Sequence, residues 1–322
     1  MTIRTRFAPS PTGYIHVGNV RTALYTYLIA RKHQGNFILR IEDTDQARFV
    51  EGAEELILKT LNWLGLDWDE GPNLNNDKEI GNFGPYHQTD RREIYLKWAK
   101  KMIDEELAYA DPYTPEQVQA FRDQAKSEKR AFLYRDHRPE NPPEWQLGMP
   151  LRFKVPEIKR YSWQDAVMGE LSAGPEALDD FILIKADGLP TYNFAHIIDD
   201  FEMKITHVIR GSEYIASTPK YLSLYEALKI EPPILAHVPH IMAPTGNKKL
   251  GKREELFWDI APWGKRRKRQ ILYVINCECG EMSVWQLDAD EPSPRDEVCE
   301  VCGRVLFDAD GNAMQPLEKE FI

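Results

Sequence analysis

Cysteine is absent from the first 276 residues of this 322-residue chain; all four cysteines lie beyond Asn276. The bulk of the protein therefore needs no disulfide scaffold, and a reducing cytoplasm is the expected compartment. No apolar run approaches the roughly 20 residues of a membrane span, and the N-terminus carries no cationic-then-apolar signal segment, so no membrane partner is expected. The two commonest phosphate-binding signatures, the Walker loop and G-x-G-x-x-G, are also missing. Positive charge is in deficit, with a net of −10 from 41 basic and 51 acidic residues. That acidity is concentrated: residues 270–322 hold 12 acids and three bases, and the remainder is close to neutral. A neutral body leaves room for a local basic groove along a nucleic-acid backbone. The length suffices for two or three domains with proper cores.

What is present begins with a strand-like stretch, Ile3 to Phe7, followed by Pro9-Ser10-Pro11-Thr12-Gly13 and a helical pattern with Val20, Leu24, Tyr27 and Leu28 on one stripe. Gly35 stands where a C-terminal cap belongs. Strand, tight loop and helix is how a nucleotide fold begins, with loop N–H groups and the helix dipole near phosphate. His16 and Gly18 sit at that end: glycine admits a close ligand, and an imidazole can donate to an oxygen gaining charge. Phe37 to Ile41 reads as a buried strand ending in Glu42-Asp43-Thr44-Asp45. Taken alone the acids suit a solvated loop; at the C-terminal end of a parallel strand they face a ligand crevice.

The pattern further predicts a helix from Glu51 to about Leu64 with Leu56, Leu61 and Leu64 inward, and a helix capped by Asp90 running through Leu107. Thr114-Pro115-Glu116-Gln117 is a capping box with proline at the first helical position. Leu151–Val155, Phe181–Lys185 and Thr206–Arg210 read as strands. Arg210, before a glycine at a strand's end, suits either a surface ion pair or a ligand contact. Gly246 to Arg253 gathers three lysines and an arginine, alone no more than a solvated basic loop.

Together, these stretches resemble the glutamyl-tRNA synthetases, a branch of the class I aminoacyl-tRNA synthetases. His16-Val17-Gly18-Asn19 is similar to their His-Ile-Gly-His motif, with Asn19 for the second histidine. Arg40-Ile-Glu-Asp-Thr-Asp45 matches a family segment, and Lys248-Lys249-Leu250-Gly251-Lys252-Arg253 resembles the mobile Lys-Leu-Ser-Lys-Arg loop, with Gly251 in place of serine. The resemblance implies a doubly wound parallel α/β sheet of Rossmann type, residues 1–71 and 186–253, split by an α+β connective domain, 72–185, that receives the tRNA acceptor end. It implies ATP with Mg²⁺, L-glutamate and tRNA as the molecules bound, and transfer of glutamate to the tRNA 3′ end. His16, Gly18, Asn19, Glu213, Lys249 and Lys252 would hold ATP, with His16 and Lys252 catalytic. Arg6, Ser10 and Glu42 would grip the amino acid's α-groups; Tyr192 and Arg210 would take its side chain. Relatives have cysteines for zinc just after an Ala-Tyr; here Ala108-Tyr109 is followed by Ala110-Asp111-Pro112-Tyr113, so that metal site is not expected. A glutamyl-Q-type enzyme that glutamylates a modified tRNA base, or a silent paralogue that only binds, are the alternative readings.

The resemblance ends at residue 253, where relatives continue into helical and anticodon-binding domains. Recognition of tRNA is accordingly expected to lean on the acceptor end, by a monomer. Residues 254–269 form a basic linker whose Lys265–Arg269 run suits either tRNA phosphates or solvent. In 270–322, Cys277-x-Cys279 and Cys299-x-x-Cys302, nineteen residues apart, have the spacing of a zinc ribbon. Tetrahedral Zn²⁺ would staple a segment too small for its own core, with iron or two disulfides as the other readings. Its acidity fits a protein partner better than phosphate.

Overall fold

The computed structural model describes residues 2–13, 15–74 and 78–242, the backbone of 270–276, 282–288 and 317–321, and residue 298. Two compact units, 1–239 and 240–322, are taken separately. In the first, β1 (Arg4–Phe7) is buried throughout and leads into α1 (Val17–Lys32). The buried face of α1 is Ala23, Thr26 and Ala30, while Leu24 and Leu28 are exposed. The stripe expected from large apolar residues is thus wrong on α1. Small side chains let the helix lie close on the sheet, where Thr5 Oγ1 donates to the Thr26 carbonyl at 3.0 Å. Tyr27 does face inward, edge-on to Phe37. The left-handed residue after α1 is Gln34, with φ 51°. Gly35 is a glycine because a Cβ there would collide with the Ile3 carbonyl.

β2 (Asn36–Leu39) runs parallel to β1 in the register Arg4 opposite Asn36. α2 (Ala53–Trp63) buries Ala53, Ile57, Leu58 and Leu61 and exposes Leu64. The inward set predicted for α2 is therefore correct only at Leu61: the buried face lies one position beyond Leu56, and the helix ends before Leu64. α3 (Arg92–Asp104) starts after a 3₁₀ turn, and Asp90 does not cap it. That turn is anchored by Asp43, which accepts from the Thr89 N–H at 2.9 Å and the Thr89 hydroxyl at 2.6 Å.

His87 ties this region together. Its Nε2 lies 2.8 Å from Glu54 of α2 and its Nδ1 3.2 Å from Glu79. The hydrogen bond it donates to Glu54 raises its pKa to about 9. A histidine raised above its unfolded value stabilises fully below that value, about 6.5, and loses the contribution as pH climbs through about 9. Urea midpoints of wild type and His87→Gln should differ most below about pH 6.5 and converge above about pH 9. A gap independent of pH would show that His87 acts by packing alone.

β3 (Ala108–Ala110), β4 (Leu151–Phe153) and β7 (Ile182–Ile184) form a three-stranded antiparallel sheet, with α4 (Pro115–Ser127) beside β3 in the chain. The Thr114 capping box forms as its spacing predicts: Thr114 Oγ1 accepts from Gln117 N, and Gln117 Oε1 from Thr114 N. Asp111 accepts from the Tyr134 hydroxyl and from Arg152 Nε, and the Arg152 guanidinium lies over the Tyr134 ring.

The main sheet adds β5 (Tyr161–Asp165), β6 (Gly169–Ala173), β8 (His207–Gly211) and β9 (Ile234–Val238), in the order β2-β1-β8-β9-β5-β6. All neighbours are parallel except β5 with β6. Residues 161–173, inside the expected insertion, thus extend the nucleotide sheet. One core joins Tyr95, Met102, Phe153 and Leu183 to residues of α5 (Tyr192–Glu202) and α6 (Thr218–Leu228). The chain leaves β1 toward β2 on one side and continues through β8 and β9 on the other, so the topological switch point lies between β1 and β8. Parallel α/β sheets bind ligands at the carboxyl ends of the strands there.

The second unit pairs β10 (Gln270–Asn276) antiparallel with both β11 (Met282–Asp288) and β12 (Leu317–Phe321). The pair Cys277 and Cys279 falls in sequence between two paired strands. All four cysteines, like the basic linker 254–269, lie outside the described residues. Among the described residues no helix is long and apolar enough to cross a membrane.

Candidate active site

α5 begins at Tyr192, and Tyr192, His196 and Asp200 follow at helical spacing, so one face of the helix carries all three. Asp200 is buried, and its Oδ1 accepts from Arg6 Nε on β1 at 3.0 Å and from Arg40 Nη1 at 2.8 Å. Although burial works against the charge, the two guanidiniums hold the Asp200 pKa down at about 2. Arg40, wholly buried, also donates from Nη2 to Glu42 Oε1 at 2.9 Å. The neighbouring acid, Asp199, shares Arg40 through a longer ion pair at 3.7 Å and otherwise takes Arg91 Nε at 2.7 Å, Gln88 Nε2 at 2.8 Å and the Tyr95 hydroxyl at 2.8 Å. Adjacent acids on α5 thus lock the strand ends to the segment before α3.

Burial pushes the Glu42 carboxyl above the ordinary range, against the pull of Arg40 and Arg6. A carboxyl in that state gains from a further cation beside it. Tyr192 is close to Glu42 and Arg210, and burial raises its hydroxyl well above the usual value. Arg210, at the end of β8, lies between the rings of Tyr214 and Tyr221, with its guanidinium carbon 5.2 and 5.0 Å from their centres. Its Nε donates to His237 Nε2 at 2.9 Å. His196 is stacked on Tyr192 at 4.6 Å, and burial followed by the Arg210 charge lowers its pKa to about 3. It is a neutral wall of the site.

Of the predicted residues, Arg6, Glu42, Tyr192 and Arg210 are brought together by β1, the end of β2, α5 and β8. His16 is the N-cap of α1: its Nδ1 accepts from Gly18 N at 3.1 Å, and Asn19 Oδ1 accepts from His16 N at 3.4 Å. The neutral ring therefore carries its proton on Nε2. A Cβ at Gly18 would press on the His16 ring, so the glycine makes room for that fold-back. Ser10 is exposed in the loop after β1, with its carbonyl accepting from Thr12 N at 2.8 Å. Glu213 is exposed after β8, its carboxylate folded over Gly211. Lys249 and Lys252, with Gly251, lie outside the described residues.

Sequence reasoning missed Arg40, Asp200 and His237. For Asp200 a signal existed in its spacing from Tyr192 along α5. For Arg40 the signal was alternation, since it and Glu42 share one side of an extended segment. His237 had none.

Residues 2–276 match the family model for the catalytic domain of class I tRNA synthetases (E and Q). The match extends past residue 253, where the motifs ended. A glutamate–tRNA ligase of Clostridium botulinum is 46% identical over 281 residues, covering 84% of this chain and 57% of that protein. A Lactobacillus johnsonii protein of the same name is 44% identical over 265 residues, 79% of this chain and 52% of that one. A crystal structure of a glutamate tRNA ligase from Elizabethkingia meningosepticum, in complex with its amino acid, superposes with a TM-score of 0.72 at 41% identity, covering 79% of this chain and 52% of that one. The chain spans little more than half the length of these relatives.

Proposed function

Because the chain belongs to the class I tRNA synthetases of the E and Q family, we propose that it activates L-glutamate with ATP and transfers it to the 3′ end of tRNA. The observation that carries this reading is the pairing of two guanidiniums, Arg6 and Arg210, with one under-compensated carboxyl, Glu42, around Tyr192. Free glutamate offers the complement: two carboxylates and an ammonium. In this assignment the α-ammonium sits on Glu42, Arg6 faces the α-carboxylate with Ser10 beside it, and Arg210 takes the γ-carboxylate. A guanidinium fork suits a carboxylate through paired, charge-assisted bonds, whereas the amide of glutamine turns an NH₂ toward donors.

The α-carboxylate oxygen then attacks the α-phosphorus of ATP, giving glutamyl-adenylate and pyrophosphate. The tRNA terminal 2′-hydroxyl takes the glutamyl group, releasing AMP. Such chemistry asks for positioning and stabilised negative charge rather than a protein nucleophile. ATP would lie on Gly18, Asn19 and Glu213, with the Nε2–H of His16 and the side chains of Lys249 and Lys252 toward the phosphates. Mg²⁺ would be carried on the substrate's phosphates. The part of residues 72–185 outside the main sheet would receive the acceptor end. The direct test is transfer of labelled L-glutamate to tRNA, which should require ATP.

Lys252→Ala should slow adenylate formation about tenfold or more while leaving the KM for glutamate nearly unchanged, because the lost charge acts on the transition state. Pyrophosphate exchange at the wild-type rate would remove Lys252 from the phosphate site.

For the tail we propose a structural zinc held by Cys277, Cys279, Cys299 and Cys302, supported by their spacing and by the pairing of β10 with β11 around the first two. Elemental analysis should find about one zinc per chain, lost together with protease resistance of the tail in Cys299→Ser. A metal-free protein with a resistant tail would contradict it.

A further inference from the structure

Three neighbouring parallel strands carry a buried chain of hydrogen bonds that ends on Arg210. Arg210 of β8 lies directly opposite His237 of β9, and Asp165 ends β5, the next strand. Asp165 and His237 are at most 1% exposed and Arg210 is 6% exposed. Asp165 Oδ2 accepts from His237 Nδ1 at 2.5 Å, and its carboxylate also takes the N–H groups of Val167, Met168 and His237. A carboxylate can only accept, so His237 Nδ1 bears the proton and Nε2 presents its lone pair. That lone pair accepts from Arg210 Nε at 2.9 Å. On the same side, Arg210 Nη2 donates to Thr218 Oγ1 at 3.3 Å, a hydroxyl 3.5 Å from His237 Nε2 that donates onward to the Tyr214 carbonyl at 3.0 Å.

We propose that Asp165 and His237 are positioning residues that fix the tautomer and the plane of this relay, so that Arg210 presents its Nη1/Nη2 edge to a carboxylate and selects it over an amide. The inference rests on the reading of Arg210 as the side-chain anchor. Among the described residues two of the five guanidinium donors are occupied, and the outer edge is left to receive two oxygens side by side. Without an acceptor at His237 Nε2, the buried Arg210 Nε would be unsatisfied, and the guanidinium would turn to find one. Selectivity would then fall without any residue that touches substrate having been changed.

Two measurements test this. In wild type, ¹⁵N spectra of histidine-labelled protein should show His237 protonated on Nδ1 alone; a ring protonated on Nε2 would overturn the relay whatever the enzyme does. In exchange assays, His237→Leu should raise the KM for glutamate about tenfold or more and shrink the glutamate-over-glutamine preference, with the KM for ATP within about threefold. His237→Gln, whose amide can donate to Asp165 and accept from Arg210 Nε, should restore most of both. Unchanged selectivity in His237→Leu, or equal loss toward glutamate and ATP, would overturn the positioning role. Wild-type protein that ignores glutamate would instead overturn the proposed function and the selectivity claim with it, leaving the tautomer to be judged by itself.

Discussion

Arg210→Ala is expected to raise the KM for L-glutamate by two to three orders of magnitude, the largest effect of any single change at the site. Removing one partner from a buried, hydrogen-bonded charge pair costs roughly 2–5 kcal/mol, and each 1.4 kcal/mol is about tenfold. The loss should appear in glutamate binding and not in ATP binding, because Arg210, flanked by Tyr214 and Tyr221, is assigned to the amino acid's side chain and not to ATP. Arg210→Lys separates charge from shape. A lysine keeps the cation but has no planar fork, so it should recover only part of the affinity and little of the preference for glutamate over glutamine. Steady-state exchange kinetics on the three proteins decide the matter. A glutamate KM within about threefold of wild type in Arg210→Ala would remove Arg210 from the side-chain site.

The second large effect concerns stability. Arg40→Met should cost about 3–5 kcal/mol, because it strips a fully buried guanidinium from Asp200 and Glu42 and leaves Arg6 to compensate both carboxylates. The signature is in the pH dependence. Arg6 and Arg40 hold the buried Asp200 carboxyl down at about 2 in the folded protein, below its ordinary value of 3.8. A carboxylate so depressed contributes stability above the unfolded pKa and loses it as pH falls through the folded one. The deficit of Arg40→Met should therefore be full at neutral pH and narrow as pH drops from about 4 toward 2. Urea unfolding across that range measures it; a loss below about 1 kcal/mol at neutral pH would mean that Arg6 alone satisfies Asp200.

These expectations depend on residues that differ in how plainly the sequence announces them. The Thr114 box was legible because capping is local: the residues that satisfy each other are three apart. The parallel pairing of β1 with β2 and β8 agrees with the doubly wound sheet that the family resemblance implies. The buried face of α1 was not legible, since Ala23, Thr26 and Ala30 bury by being small while the larger Leu24 and Leu28 face outward. Nor was the start of α3, where the acid that anchors the turn is Asp43, 46 residues upstream of Thr89. Arg6, Glu42, Tyr192 and Arg210 were singled out through the family resemblance, but the buried groups that orient them were not. Arg40 reaches Asp200 across 160 residues, and His237 meets Asp165 across 72. The first pair is joined by the packing of α5 and the second by neighbouring strands, and a linear pattern encodes neither. Family motifs mark the groups expected to touch ligand; the buried partners behind them emerge only from the folded sheet.

The central claim is that this crevice activates glutamate, and glutamate-dependent ATP–pyrophosphate exchange tests it most directly. The assay is run on the wild-type chain with tRNA present, with L-glutamate, L-glutamine or no amino acid. Exchange with L-glutamate, and only background with L-glutamine, is the predicted result; no exchange with either, or equal exchange with both, would contradict it.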